Sequence, residues 1–140
     1  VVLRSSFDEA AREFERRGVT GKMTVDKPGR MVGADPAVLA HLLHSLLTNA
    51  LDATPAGGSI EGSVVANGGK RVIVSITDTG RGIATQDLEN IFRPFFTTKK
   101  EGLGLGLTLV RRTVERMNGE IRVESTPGQG TRVILEFPSG

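Results

Sequence analysis

The stretch DPAVLAHLLHSLLTNALDAT, residues 35–54, decides how the rest of the chain is read. Asp35 can accept from the first free backbone amides of a helix, and Pro36 stands where its missing N–H costs nothing, so a start is marked. Leu39, Leu42, Leu43, Leu46, Leu47, Ala50 and Leu51 recur at i, i+3, i+4, i+7 and i+8. That spacing makes one broad apolar face and predicts a helix from Asp35 to Thr54 laid on a core. His41, Ser45, Asn49 and Asp52 gather on a different side. Amide and carboxylate groups one turn apart on a core helix need partners once water is excluded, so the strip is expected to face a ligand.

Working outward, Ser6 with Glu9 forms a capping-box signature, and Phe7, Ala10, Ala11 and Phe14 are the apolar stripe of a short helix that Gly18 can end. Val19 to Val25 reads as a strand, Lys27-Pro28-Gly29 as a turn and Arg30 to Val32 as a short strand. Beyond the central helix, Pro55-Ala56-Gly57-Gly58 is a breaker. Ile60 to Ala66 and Arg71 to Asp78 are then strand-like runs joined by Asn67-Gly68-Gly69-Lys70, the chemistry of a β-hairpin, with Val72, Val74 and Ile76 facing inward.

From Asp78 to Gly106 periodicity fades to one weak helical turn near Gln86 to Ile91, and a segment that long with so little pattern is read as functional or mobile. Leu107, Val110, Val114 and Met117 mark a second core-facing helix that Asn118-Gly119 ends. Glu120 to Glu124 and Thr131 to Phe137 are strands around the turn Pro127-Gly128-Gln129-Gly130. This order predicts an α+β fold, a two-layer sandwich in which helices cover one face of a mixed, mostly antiparallel sheet.

At 140 residues and 14.9 kDa the chain fits one compact domain, 1–140, with a sizeable core. Eighteen basic against 16 acidic residues leave a net charge of +2, and with no Trp or Tyr there is no aromatic platform for bases, so no nucleic-acid partner is expected. The absence of cysteine excludes disulfides, thiolate metal sites and cysteine nucleophiles. No apolar run reaches membrane-spanning length, so direct membrane contact is not expected and a cytoplasmic location is, although the parent protein can be membrane-anchored.

Two glycine-rich motifs carry chemistry. Asp78-Thr79-Gly80-Arg81-Gly82 ends a strand with a carboxylate that can accept from the exocyclic amine of adenine, and its glycines let backbone approach a flat ligand; the same pattern also makes an ordinary strand-end turn. Gly102, Gly104 and Gly106 alternate with Leu103, Leu105 and Leu107 as a helix opens, where amides and the helix dipole can meet phosphate; a flexible hinge is the plainer use. Neither the dinucleotide fingerprint nor a P-loop Gly-Lys-Ser/Thr ending is present.

Asn49, Asp78 to Gly82, Phe92-Arg93-Pro94-Phe95-Phe96-Thr97-Thr98-Lys99, Gly102 to Gly106 and Gly128-Gln129-Gly130-Thr131 follow one another in an order that closely resembles the catalytic ATP-binding domain of bacterial sensor histidine kinases. That domain has the Bergerat-type ATP-binding fold, shared with gyrase, Hsp90-type chaperones and MutL. The resemblance implies that Asn49 gives its amide oxygen to Mg2+, a hard cation that keeps water while bridging phosphates. It implies that Asp78 reads the adenine amine of ATP, with Gly80 and Gly82 permitting close approach. Phe92, Phe95 and Phe96 would pack the lid, Ile83 to Leu103, and Lys99 would touch phosphate. Gly102, Gly104 and Gly106 would cradle the phosphates, Thr131 would floor the adenine site, and Ile83, Thr98, Leu103 and Leu105 would complete the nucleotide contacts. Asp52 would reach the adenine end through water or satisfy the helix terminus. Among these, Asn49 and Lys99 are the candidate catalytic residues.

Ser45, four residues before Asn49, departs from the pattern: sensor kinases usually carry asparagine there and hydrolysing cousins a glutamate base. Serine has no useful basicity at neutral pH, which argues against activation of water from this position. His41 and His44 are too few for a metal site and are read as structural. The resemblance implies a protein histidine kinase fragment, not self-sufficient, that passes the γ-phosphoryl group of Mg-ATP to a histidine on a separate dimerisation domain, absent from this chain, and through it serves a response-regulator receiver domain. A stand-alone serine kinase or anti-sigma-like regulator, and a nucleotide-dependent interaction module without transfer, are the alternatives on the same fold.

Overall fold

The computed structural model describes residues 11–26, 36–67, 71–88 and 106–138, without the side chains of 23, 25, 26, 36–40, 64, 66, 67, 85, 87 and 106–109. The expectations at Ser6 and Glu9, at Arg30 to Val32, at Asp35, at Phe92, Phe95, Phe96, Thr98 and Lys99, and at Gly102 to Leu105 lie outside the described residues.

A helix over 11–16 (α1) precedes β1 (Thr20–Asp26), and the long helix α2 (Pro36–Ala53) follows. Then come β2 (Ser59–Asn67), β3 (Arg71–Asp78), the single turn α3 (Thr85–Leu88), α4 (Gly106–Arg116), β4 (Glu120–Thr126) and β5 (Gly130–Pro138). The strands form a five-stranded sheet in the order β1-β2-β3-β5-β4. β1 lies parallel to β2 and the other three neighbouring pairs are antiparallel, so the sheet is mixed and mostly antiparallel, as the sequence order predicts. Among the described residues, no helix is long and apolar enough to cross a membrane.

The core lies between one face of the sheet and the helices. Leu42, Leu43, Leu46, Leu47, Ala50 and Leu51 of α2 are all buried, which is the apolar face read from their spacing. Phe14 of α1 and Val110 and Val114 of α4 join them above Ile60, Val72, Val74, Ile76, Leu135 and Phe137. Each fully buried leucine or valine contributes about 1.5–3 kcal/mol relative to exposure, so α2 is held mainly by tertiary packing. Gly18 ends α1 in the left-handed region at φ 71°, as anticipated. At the end of α4 the left-handed residue is Asn118, at φ 60°, with Gly119 buried behind it against Phe137 and the backbone of Glu136. The β2–β3 register, Asn67 opposite Arg71 and Ile60 opposite Asp78, is the expected hairpin.

Register carries the core face to the site. Gly62, Ile76, Val133 and Val123 lie opposite one another across β2, β3, β5 and β4. The next row is Ile60, Asp78, Thr131 and Ser125. At that row the inward face of three neighbouring strands turns from apolar to polar, at the edge of the core beside the end of α2.

Candidate functional site: a buried carboxylate at the end of the sheet

Asp78 ends β3 and is 6% exposed. Its Oδ1 accepts from the Gly80 amide at 2.8 Å and from the Thr131 amide at 3.3 Å. Both bonds fall on one oxygen, so among the described residues Oδ2 has no donor and remains available to an amine. Burial pushes the Asp78 carboxyl above the ordinary aspartate value, and the Gly80 and Thr131 amides and the charge of Arg81 oppose that rise without cancelling it. The result is a carboxylate fixed in direction by backbone donors and short of solvation.

Three segments hold it there. The Arg81 amide donates to the Ala53 carbonyl at 3.0 Å, tying the turn after β3 to the last residue of α2. A Cβ on Gly80 would collide with that same carbonyl, so the close approach read from the sequence is an approach of Gly80 to α2. Gly82 takes φ 73°, and a Cβ on it would strike the Thr126 carbonyl at the end of β4. The Gly128 amide closes the other side by donating to the Arg81 carbonyl at 2.8 Å. Thr79 faces away, its Oγ1 accepting from the Ser59 amide at 2.9 Å.

His41, His44 and Asp52 are exposed, and Ser45 and Asn49 are half-buried. Asn49 stands one turn before Ala53, whose carbonyl Gly80 approaches, so it lies on the turn of α2 next to the one that meets the segment after Asp78. The Asp52 Oδ1 meets the Arg17 Nη1 at 3.1 Å, linking α2 to the end of α1. Thr131 donates its amide to Asp78, Ile83 is tied by its amide to Ser125 opposite Thr131, and Gly106 opens α4.

Sequence reading passed over Ser125. Its Oγ accepts from the Ile83 amide at 2.7 Å, donates to the Gly130 carbonyl at 2.9 Å and lies 2.9 Å from the Thr131 Oγ1. A lone serine on a strand with alternating exposure carries no local signal. Only the register that sets Ser125 opposite Thr131 reveals it.

Residues 34–140 match the family model described as histidine kinase-, DNA gyrase B-, and HSP90-like ATPase. The sensor histidine kinase ZraS of Escherichia coli (strain K12) is 37% identical over 138 residues, covering 98% of this chain and 29% of its own length. The adaptive-response sensory kinase SasA of Rippkaea orientalis is 35% identical over 142 residues, covering 99% of this chain and 36% of its own. This chain therefore spans about a third of the length of those relatives. Among solved structures, the nucleotide-free catalytic domain of the histidine kinase ThkA superposes with a TM-score of 0.86 at 30% identity, covering 98% of this chain and 90% of that one. Full-length ShkA in complex with AMPPNP gives 0.87 at 29% identity, with 99% of this chain and 29% of that chain covered. The chain belongs to the histidine kinase-, DNA gyrase B- and HSP90-like ATPase family, and within it has the form of a sensor histidine kinase ATP-binding domain.

Proposed function

We propose that this chain binds Mg-ATP and presents its γ-phosphoryl group to a histidine carried on a separate dimerisation domain, in two-component signalling. The observation that carries this reading is the Oδ2 of Asp78, which has no donor among the described residues, on a buried carboxylate whose other oxygen is pinned by two backbone amides. Such a group selects an amine donor, and the exocyclic amine of adenine is one. Similarity to sensor kinases supports the transfer step, and similarity to a kinase solved with AMPPNP supports the nucleotide.

The donor set fits Mg2+. Among the described residues there is no group of three or more His, Cys, Asp or Glu able to cage a metal ion. Magnesium bound with nucleotide needs no such cage, because phosphates and water fill most of its octahedron, and the half-buried amide of Asn49 supplies a neutral oxygen. When bound it would neutralise phosphate charge. The chain's own part is to orient: Asp78 and Thr131 fix the base, Asn49 the metal end, and Lys99 with Gly102, Gly104 and Gly106 the phosphates. Ser45 offers no base, so transfer to a held acceptor is favoured over hydrolysis. The dimerisation domain is the direct partner, a response-regulator receiver domain the indirect one, and the setting is cytoplasmic.

Incubation with radiolabelled ATP tests this, first alone and then with a dimerisation domain bearing its histidine. Acid-labile label on that domain is the expected result. Acid-stable label on a protein serine, or tight nucleotide binding with no label anywhere, would replace this reading.

A further inference from the structure

We propose that Ser125 is a positioning residue for base recognition, whose single hydroxyl proton sets whether Thr131 can donate into the site beside Asp78. The inference rests on the nucleotide-binding reading above and concerns the same site. Ser125, Thr131 and Asp78 occupy one register row on neighbouring strands β4, β5 and β3. Thr131 lies opposite Asp78 across β5 and β3 and donates its amide to the Asp78 Oδ1, so the two side chains share one face of the sheet, and among the described residues the Asp78 Oδ2 has no donor.

The protons can be counted. The Ser125 Oγ has one proton and two lone pairs. The Ile83 amide takes one lone pair, at 2.7 Å. With the proton given to the Gly130 carbonyl at 2.9 Å, the remaining lone pair accepts the Thr131 hydroxyl at 2.9 Å, and all three groups are satisfied. In that arrangement Thr131 turns its lone pairs outward and can only accept. If the Ser125 proton swings to the Thr131 Oγ1 instead, the Thr131 proton is released to a ligand acceptor, such as a ring nitrogen next to an amine. The Ile83 bond survives both arrangements. A purine edge offering a donor and an adjacent acceptor matches Asp78 Oδ2 together with Thr131 in its donating state. Ser125 is then the group that makes that state affordable, while holding Ile83 where the chain leaves Gly82.

The test is a double-mutant cycle on ATP affinity by calorimetry, with Ser125→Ala, Thr131→Val and both together, beside Ser125→Thr and Ser125→Cys. Ser125→Ala is expected to weaken ATP by about tenfold, Ser125→Thr to stay within about twofold of the parent, and Ser125→Cys, with its weak donor, to fall between them. In the Thr131→Val background the alanine change is expected to cost only about two- to threefold, the share that comes from leaving the Ile83 amide without its acceptor, since there is no hydroxyl left to orient. A merely structural serine would weaken binding equally in both backgrounds, and that additive result overturns the proposal. So does a Ser125→Ala chain that binds ATP as the parent does. A parent chain that binds no ATP would overturn the functional reading and this inference together, whereas parental binding with an additive cycle overturns this inference alone.

Discussion

The Ala53 carbonyl, at the end of α2, fills the space into which a side chain on Gly80 would project: a Cβ there would lie 2.7 Å from the Ala53 carbonyl carbon and 2.9 Å from the Asp78 Oδ1. Two parts of the site that are far apart in sequence are thereby locked together. The helix that carries Asn49 and the strand that ends in Asp78 meet backbone to backbone, and the Arg81 amide bonded to the same carbonyl prevents them from drifting apart. Because the neighbour is backbone, it cannot rotate out of the way as a side chain would.

Gly80→Ala is therefore expected to be costly although Gly80 does not need a left-handed conformation. Relief requires the turn to shift from α2, which moves Asp78 relative to Asn49. A loss of about 1–3 kcal/mol in stability, the usual range for overpacking, should accompany weaker nucleotide binding. Urea unfolding of the variant checks the first part, and an unchanged midpoint would show that the contact with Ala53 yields more easily than backbone should.

Asp78→Asn separates binding from folding. The asparagine Oδ1 can still accept from the Gly80 and Thr131 amides, and no charge is left to bury, so the melting temperature should hold or rise. The new NH2 replaces the free oxygen with a donor and faces the adenine amine as donor to donor. Loss of one charge-assisted bond is worth about 1.5–3 kcal/mol, or at least about tenfold in Kd. GTP presents a carbonyl where ATP presents the amine, so the ratio of GTP to ATP affinity should increase in the variant. Calorimetry with both nucleotides decides it; equal losses for both would mean that Asp78 does not read the base.

Much of this was legible in sequence, because the deciding signals were local. The apolar face of α2 follows from its spacing, the β2–β3 hairpin from its turn residues, and Asp78, Gly80 and Gly82 from a five-residue motif. What sequence could not supply was partnership across distance. Nothing in the residues of β1 says that it runs parallel to β2, nor that β5 inserts between β3 and β4. Asp52 pairs with Arg17, 35 residues away, and Ser125 with the Ile83 amide, 42 residues away, and neither separation has a period. The helical turn expected at Gln86 to Ile91 is found over Thr85–Leu88, and residues 89–91 lie outside the described residues.

Acidification should weaken ATP binding at a higher pH than an ordinary aspartate would allow. Burial raises the Asp78 carboxyl above 3.8, so on lowering pH it takes up a proton early and Oδ2 ceases to be an anionic acceptor. For stability the sign is the reverse. A carboxyl raised in the fold favours the folded state below its unfolded value, and that contribution is lost as pH rises through the folded value. The ionised Asp78 that the proposed base recognition requires therefore costs stability at neutral pH. ATP affinity measured against pH for the parent and for Asp78→Asn should differ by an acidic limb present only in the parent; parallel profiles would remove Asp78 from the titration.

Asn49→Ala should abolish the part of nucleotide affinity that depends on Mg2+ and leave the rest. Asn49 is half-buried on the polar strip of α2, while the residues that anchor the helix in the core are Leu46, Leu47, Ala50 and Leu51; a melting curve of the variant separates any loss of fold from loss of metal-dependent binding. Its amide oxygen is a suitable ligand for a hard cation, and one protein oxygen together with phosphates and water is the ordinary way in which Mg2+ is held beside ATP. If Asn49 is the proposed ligand, its removal would leave the metal held by the nucleotide alone, so ATP should bind the variant about equally in Mg2+ and in EDTA. The base contacts proposed at Asp78 would remain, which predicts that adenosine affinity is unchanged. Titrations of ATP with and without EDTA, and of adenosine, on parent and variant distinguish the outcomes. A variant that still gains affinity on adding Mg2+ would place the metal ligand elsewhere than Asn49.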